Sequence, residues 1–234
     1  MNNALIPYVI QQTQNGERSY DLYSRLLEDR IIYINDEVNS ASMNVAICEL
    51  LYLNSVDKKR PIYMYINSPG GSVIDGMALV DTMKFIKAPV YTFVTGMAAS
   101  MGSVILSAGE KGHRYALPTS QVLVHQMSGG TQGKTKDNVN AMHYEQRLEF
   151  MLISELGLNC GKISKETYDE IRDVVNQMDD MEPYPKFNLS KKALDEYYEF
   201  KKSTDYDHWL LSKQALEFGV IDKILTSEDE LEDE

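Results

Sequence analysis

Cysteine is scarce in this chain. Only Cys48 and Cys160 occur in 234 residues, and neither sits in a C-x-x-C pair or a His/Cys cluster. That excludes a disulfide framework and offers no zinc spacing, so no metal site is indicated. Histidine is nearly as rare, at four residues, and there is a single tryptophan. Positive charge is short as well: 23 Lys and Arg face 35 Asp and Glu, a net charge of −12. This balance argues against a nucleic-acid partner and against an anionic membrane surface. No apolar run reaches membrane-spanning length. The opening, Met1 to Pro7, has no basic region followed by a long apolar core, so no secretory signal is expected and a reducing, cytoplasmic setting is the default. The glycine patterns G-x-G-x-x-G and G-x-x-x-x-G-K-[ST] are missing around Gly70-Gly71, which leaves nucleotide binding poorly supported.

What remains is the composition of a soluble globular protein, 43% hydrophobic and 25% charged. The length suits one domain, large enough to bury roughly 70–75% of its unfolded surface. Much of the acidic excess is local. Glu228-Asp229-Glu230 and Glu232-Asp233-Glu234 form an acidic tail over 228–234, read as a solvated end.

Residues 1–20 are polar with no clear period and read as a flexible or partly ordered arm. Ile31 to Ile34 reads as a strand. Met43, Ile47, Leu50 and Leu51 fall at helical spacing over 40–55, and Cys48 within that pattern is expected to be buried. Pro61 to Ile66 alternates and is rich in β-branched and aromatic residues, so a strand is expected, closed by the turn Asn67-Ser68-Pro69-Gly70-Gly71. A helix over 72–87, a strand over 90–95, a small-residue helix over 100–108 and an extended stretch over 115–125 follow. Strands alternating with helices at these distances argue for crossover units and a largely parallel α/β sheet. After the glycine-rich segment Gly129 to Gly133 comes a long helix over about 136–156. An added helix and loop follow over 158–189, then charged and short helices over 190–203 and 212–218, and a closing strand over 220–225.

The chemistry concentrates at Gly96-Met97-Ala98-Ala99-Ser100-Met101-Gly102-Ser103. A serine nucleophile needs a base, backbone N–H groups to hold an oxyanion, and room for substrate. Small neighbours give Ser100 that room, and a strand-to-helix context frees the Met101 amide. His125 ends the apolar run Val122-Leu123-Val124, just before the glycines, and is the best-placed base. His113 and His143 lie in polar surroundings and read as surface positions. A carboxylate to orient His125 is offered twice in Thr204-Asp205-Tyr206-Asp207-His208-Trp209, and the residues alone do not choose. The reading is a serine hydrolase.

Three segments together resemble the ClpP family, the serine peptidase subunits of Clp ATP-dependent proteases. They are Gly16 to Leu27, Tyr65 to Gly71 and Gly96 to Ser103. The resemblance runs from about Ala4 to Leu156 and resumes from about Thr204 to Leu225. It implies a crotonase/ClpP-like α/β subunit with a largely parallel sheet and a protruding helical handle at about 126–203. The implied organisation is an N-terminal axial arm at 1–20 followed by one peptidase domain over 21–234. Carried over, Ser100 is the nucleophile, His125 the base, and Gly71 and Met101 the oxyanion-hole amides. Counting back from Gly219 in Ala215 to Asp222 places Asp207, not Asp205, on the family aspartate.

Gly129, Gly130 and Gly133 match the glycine-rich strand where substrate lies extended, and Tyr63, Tyr65 and Phe85 match the docking pocket for an AAA+ unfoldase. The family further implies stacked heptameric rings, unfolded-protein substrates and no cofactor. The chain departs from the family pattern at the 158–189 insertion, at Met127 in place of proline, and at Tyr206 in place of an inter-ring arginine. Two other readings are a non-catalytic ring subunit of a mixed Clp complex and a crotonase-type CoA enzyme.

Overall fold

The computed structural model describes residues 6–14, 16–178 and 188–231. Residues 1–5 and 15 of the arm, 179–187 of the expected insertion and 232–234 of the acidic tail lie outside the described residues.

Five parallel strands build the body in the order β3 (Ile31–Ile34), β4 (Ile62–Ser68), β5 (Val90–Ala99), β6 (Arg114–Ala116), β9 (Lys223–Ile224). The strand β5 is long enough to serve two neighbours. Its first half pairs with β6, and its last residues, Met97 to Ala99, pair with β7 (Gln121–Val124). On the far side of β7 runs β8 (His208–Leu211), the one antiparallel partner in this sheet. The expected α/β class and largely parallel sheet are therefore present.

The alternation in β4 explains how the layers form. Ile62, Met64 and Ile66 face the main core and are fully buried, while Tyr63 and Tyr65 face the opposite side. The main core lies between the sheet and the helices α2 (Ser40–Val56), α3 (Val73–Phe85), α4 (Met101–Ser107) and α5 (Thr135–Asn159). On the other face a smaller cluster joins Phe93, Tyr115 and Leu225 to Tyr63, Tyr65 and Tyr91. The rings of Tyr65 and Phe93 stack at 4.7 Å and those of Phe93 and Tyr115 at 4.8 Å.

A buried ion pair ties the C-terminal strand to the body. Arg114, 1% exposed, donates to both Asp222 oxygens at 2.6 and 2.7 Å and to the carbonyls of Ser107 and Asn159. Burial works to raise the Asp222 carboxyl, but the hydrogen bonds and charge of Arg114 outweigh it and hold the group at about 2.

The helix α5 is exposed over its first turns and enters the core from His143 onward. Against it packs α6 (Lys165–Gln177), whose Ile171 and Val175 are buried in the main core. Its Tyr168 hydroxyl donates to the buried Glu155 carboxylate at 2.9 Å, and Lys84 pairs with the same carboxylate. The next helices are α7 (Lys191–Lys201) and, after β8, α8 (Ser212–Phe218).

Several expectations are corrected. Within the arm, read as flexible or partly ordered, β1 (Tyr8–Thr13) and β2 (Gly16–Asp21) form an antiparallel hairpin, followed by α1 (Leu22–Glu28). Its side chains are mostly exposed, so no apolar period marked it. Cys48 is exposed, because the buried stripe of α2 runs through Met43, Ala46, Leu50 and Leu53 instead. Leu51, expected on that stripe, is exposed too. Two histidines read as surface positions are not. His143 is buried on α5, and His113 is half-buried, its ring 3.9 Å from that of Tyr91.

Candidate active site

Ser100 stands where β5 ends and α4 begins. Its backbone has φ 53°, ψ −122°, one of two non-glycine residues with positive φ among those described. That conformation is strained for a residue with a Cβ and persists only when its surroundings hold it. Three contacts do so. The Ser100 N–H donates to Leu123 O on β7 at 3.0 Å, and its carbonyl accepts from the Ser103 N–H and hydroxyl. Gly70 lies against the turn, where a Cβ would come within 2.5 Å of Ala99 O and 2.7 Å of Ser100 Cβ. With φ +88° as well, position 70 accepts glycine on two counts.

Gly71 is fixed by a short parallel bridge to Val38. The Val38 N–H donates to Gly70 O, and the Ser72 N–H donates to Val38 O. That ladder uses the Gly70 carbonyl and the Ser72 amide and leaves the Gly71 N–H free of an acceptor among the described residues. The Met101 N–H, in the first turn of α4, has none either.

Four of the expected residues, Gly71, Ser100, Met101 and His125, line one cavity of about 50 Å³ together with Val73, Val124, Met127, Leu152 and Ile153. No hydrogen bond joins Ser100 to the His125 ring in this state, among the described residues. The His125 Nδ1 lies 3.5 Å from Asp207 Oδ1. Asp205 closes the 3₁₀ turn ahead of β8 and makes no ion pair with His125.

A larger groove of about 490 Å³ adjoins this cavity and shares Gly71, Val73, Met127 and Ser128 with it. One wall is a face of α5, with Met142, Glu145, Gln146 and Glu149 at one-turn spacing. Gly129 lines its mouth and, like Gly130 next to it, is exposed, and residues 126–134 form no strand in the single chain. Met127, where proline was expected, packs partly into the main core.

A comparison with known families matches Clp protease over residues 14–170 and 161–228. The chain belongs to the Clp protease family. The resemblance to ClpP-type peptidases read from Gly16 to Leu27, Tyr65 to Gly71 and Gly96 to Ser103 is thereby borne out, and so is the α/β architecture it implied. The two matched stretches overlap at 161–170, inside the segment that the sequence set apart as an insertion.

The residues expected to dock an unfoldase are not all together. Tyr63 and Tyr65 sit in the aromatic cluster on the second sheet face, whereas Phe85 ends α3, is 82% exposed, and stacks on neither. Tyr206 is fully accessible beside Asp207. Sequence reading missed the wall of α5. Its signal was present in the 142, 145, 146 and 149 spacing, but nothing in the sequence alone said which cavity that face would line. Among the described residues no helix is long and apolar enough to cross a membrane.

Proposed function

We propose that this Clp-family chain is the proteolytic subunit of an ATP-dependent Clp protease, a serine endopeptidase that cuts unfolded proteins into short peptides. Ser100 attacks the peptide carbonyl while His125 takes its proton. Asp207 holds the imidazole in the right tautomer and supports the imidazolium that forms. The amides of Gly71 and Met101 receive the oxyanion. His125 then returns the proton to the leaving amine, and water releases the acyl-enzyme by the reverse sequence. The observation that carries this reading is the convergence of Ser100, His125, Gly71 and Met101 on one cavity, with Asp207 next to His125. The Ser100–His125 hydrogen bond is expected to form with substrate bound, since catalytic hydrogen bonds often tighten only then.

The family further supports stacked heptameric rings enclosing these sites, an AAA+ unfoldase feeding them through docking residues that include Tyr63, Tyr65 and Phe85, substrate laid along Gly129 and Gly130, and a cytoplasmic setting. A non-catalytic ring subunit gains no support from a site that retains serine, histidine and aspartate. A CoA enzyme would leave those three without a role.

The test is hydrolysis of a short fluorogenic peptide by the assembled particle. Ser100→Ala is expected to lower turnover on the order of 10⁴–10⁶-fold while leaving the circular dichroism spectrum unchanged. Near-normal hydrolysis by a pure Ser100→Ala sample overturns the assignment. Particle mass from native mass spectrometry checks the rings, and ATP-dependent loss of an unfolded protein in the presence of an unfoldase checks the partnership.

A further inference from the structure

The groove beside the Ser100–His125 cavity has an uneven chemistry. Its walls are largely apolar: Val73 and Ile74 at the start of α3, Met127 after β7, and Met142 and Leu148 on α5. Two carboxylates face it, Glu145 and Glu149. Among the described residues no lysine or arginine lines it.

The two acids are not equivalent. Glu149 is already neutralised by Lys201, whose Nζ lies 2.5 Å from its carboxylate. Glu145 has no ion-pair or hydrogen-bond partner among the described residues. It is half-buried on the inner face of α5. Its carboxylate rests against Gly129: a Cβ built there would meet the two Glu145 oxygens at 3.0 and 3.5 Å. The charge therefore lies on the glycine-rich segment itself, at the entrance to the cavity that holds Ser100.

A half-buried carboxylate without a partner in its own chain is open to a cation carried by what enters the groove. A groove with apolar walls and one carboxylate left without a cation fits one class of side chain, a long aliphatic stem with a cationic end. We propose that Glu145 is a specificity-determining residue, and that this groove takes a lysine or arginine side chain of the substrate polypeptide. The inference rests on the peptidase reading above. The overall charge of −12 works in the same direction, since it draws basic segments toward the particle and repels acidic ones.

The test uses the assembled full-length protein and three fluorogenic peptides that differ only at the residue whose carbonyl is cleaved. These are lysine, norleucine (the same stem without the ammonium) and glutamate. Wild type is expected to favour lysine over norleucine by about tenfold or more in kcat/KM, the size of a charge-assisted hydrogen bond in a partly desolvated site. Glutamate should be the poorest of the three. Glu145→Gln should collapse the lysine-to-norleucine ratio toward one, and Glu145→Lys should invert the order of lysine and glutamate. Raising ionic strength should shrink the ratio in wild type and leave it unchanged in Glu145→Gln.

A wild-type enzyme that prefers norleucine, or a lysine preference that survives Glu145→Gln, overturns the inference while leaving the peptidase intact. Failure to cleave any of the three peptides overturns the peptidase reading and this inference with it.

Discussion

His125 and Asp207 are brought together by strand register. Val124 pairs with His208 in the antiparallel β7–β8 ladder, so His125 and Asp207 are the next opposed residues beyond it, and their Nδ1 and Oδ1 atoms stand 3.5 Å apart. Asp205 is two residues further from the ladder and falls in the preceding turn.

This register ranks the two acids. Asp207→Asn is expected to lower peptide turnover on the order of 10²–10⁴-fold at neutral pH, through a wrong-tautomer or misaligned imidazole. Asp205→Asn should change it by less than about threefold, in line with a half-buried turn residue that makes no ion pair with His125. Steady-state kinetics on the two variants decides, and the reverse order would place the wrong carboxylate beside the base.

The contact of Gly70 with the Ser100 turn predicts a defect without any loss of a reacting group. Gly70→Ala puts a methyl within 2.7 Å of Ser100 Cβ at φ +88°. Turnover should fall by about a hundredfold, the cost of displacing a nucleophile by around an ångström. Stability should fall by about 1–3 kcal/mol. Urea unfolding alongside kinetics separates the two, and full activity would show that the turn relaxes elsewhere.

The Arg114–Asp222 pair predicts a pH dependence. The Asp222 carboxyl is held at about 2, below its ordinary 3.8, so the folded state favours the charged form. A depressed carboxyl contributes stability that is present above pH 4 and is lost as pH falls toward 2, about 2 kcal/mol in all. Asp222→Asn leaves the buried Arg114 uncompensated and should destabilise the fold by about 3–5 kcal/mol at pH 7. The gap between wild type and Asp222→Asn in urea unfolding should narrow as pH drops from 4 to 2. A gap that widens would reverse the sign of this linkage.

The two cysteines should react at very different rates. Burial pushes the Cys160 thiol up to about 12, while Cys48 lies on the surface of α2. A thiolate is the reacting form, so an aromatic disulfide reagent at pH 8 should titrate Cys48 alone in the native protein and Cys160 only after unfolding. Equal rates would show that Cys160 is accessible.

The parts of this fold legible in the sequence are those where one face of an element is buried. The alternation of Ile62, Met64 and Ile66 against Tyr63 and Tyr65 marked β4, and the tiny residues around Ser100 marked a tight strand-to-helix turn. The hairpin β1–β2 was not legible, because both of its faces are mostly exposed and carry no period. The strand β8 was missed for a related reason. Only Leu210 of its four residues is buried, and its pairing with β7 is set by a partner more than 80 positions away. Cys48 was misplaced by an apolar pattern that counted Leu51, which α2 turns outward. The expected site residues Ser100 and His125 carried local signals, whereas Asp207 was told from Asp205 only by counting back from Gly219 in the family pattern, and the Glu145 wall depended on which cavity α5 would border.

The Arg114 guanidinium gathers chain segments at Ser107, Asn159 and Asp222, and the last of these is also the last to be synthesised. A nascent chain has made Ser100 and His125 long before it makes Asp207, and Asp207 before the Asp222 that locks β9 into the sheet. On the proposed reading, a chain still growing on the ribosome holds nucleophile and base without the acid. The proposed triad is therefore completed late in synthesis, only after Asp207 has left the ribosome and paired with His125.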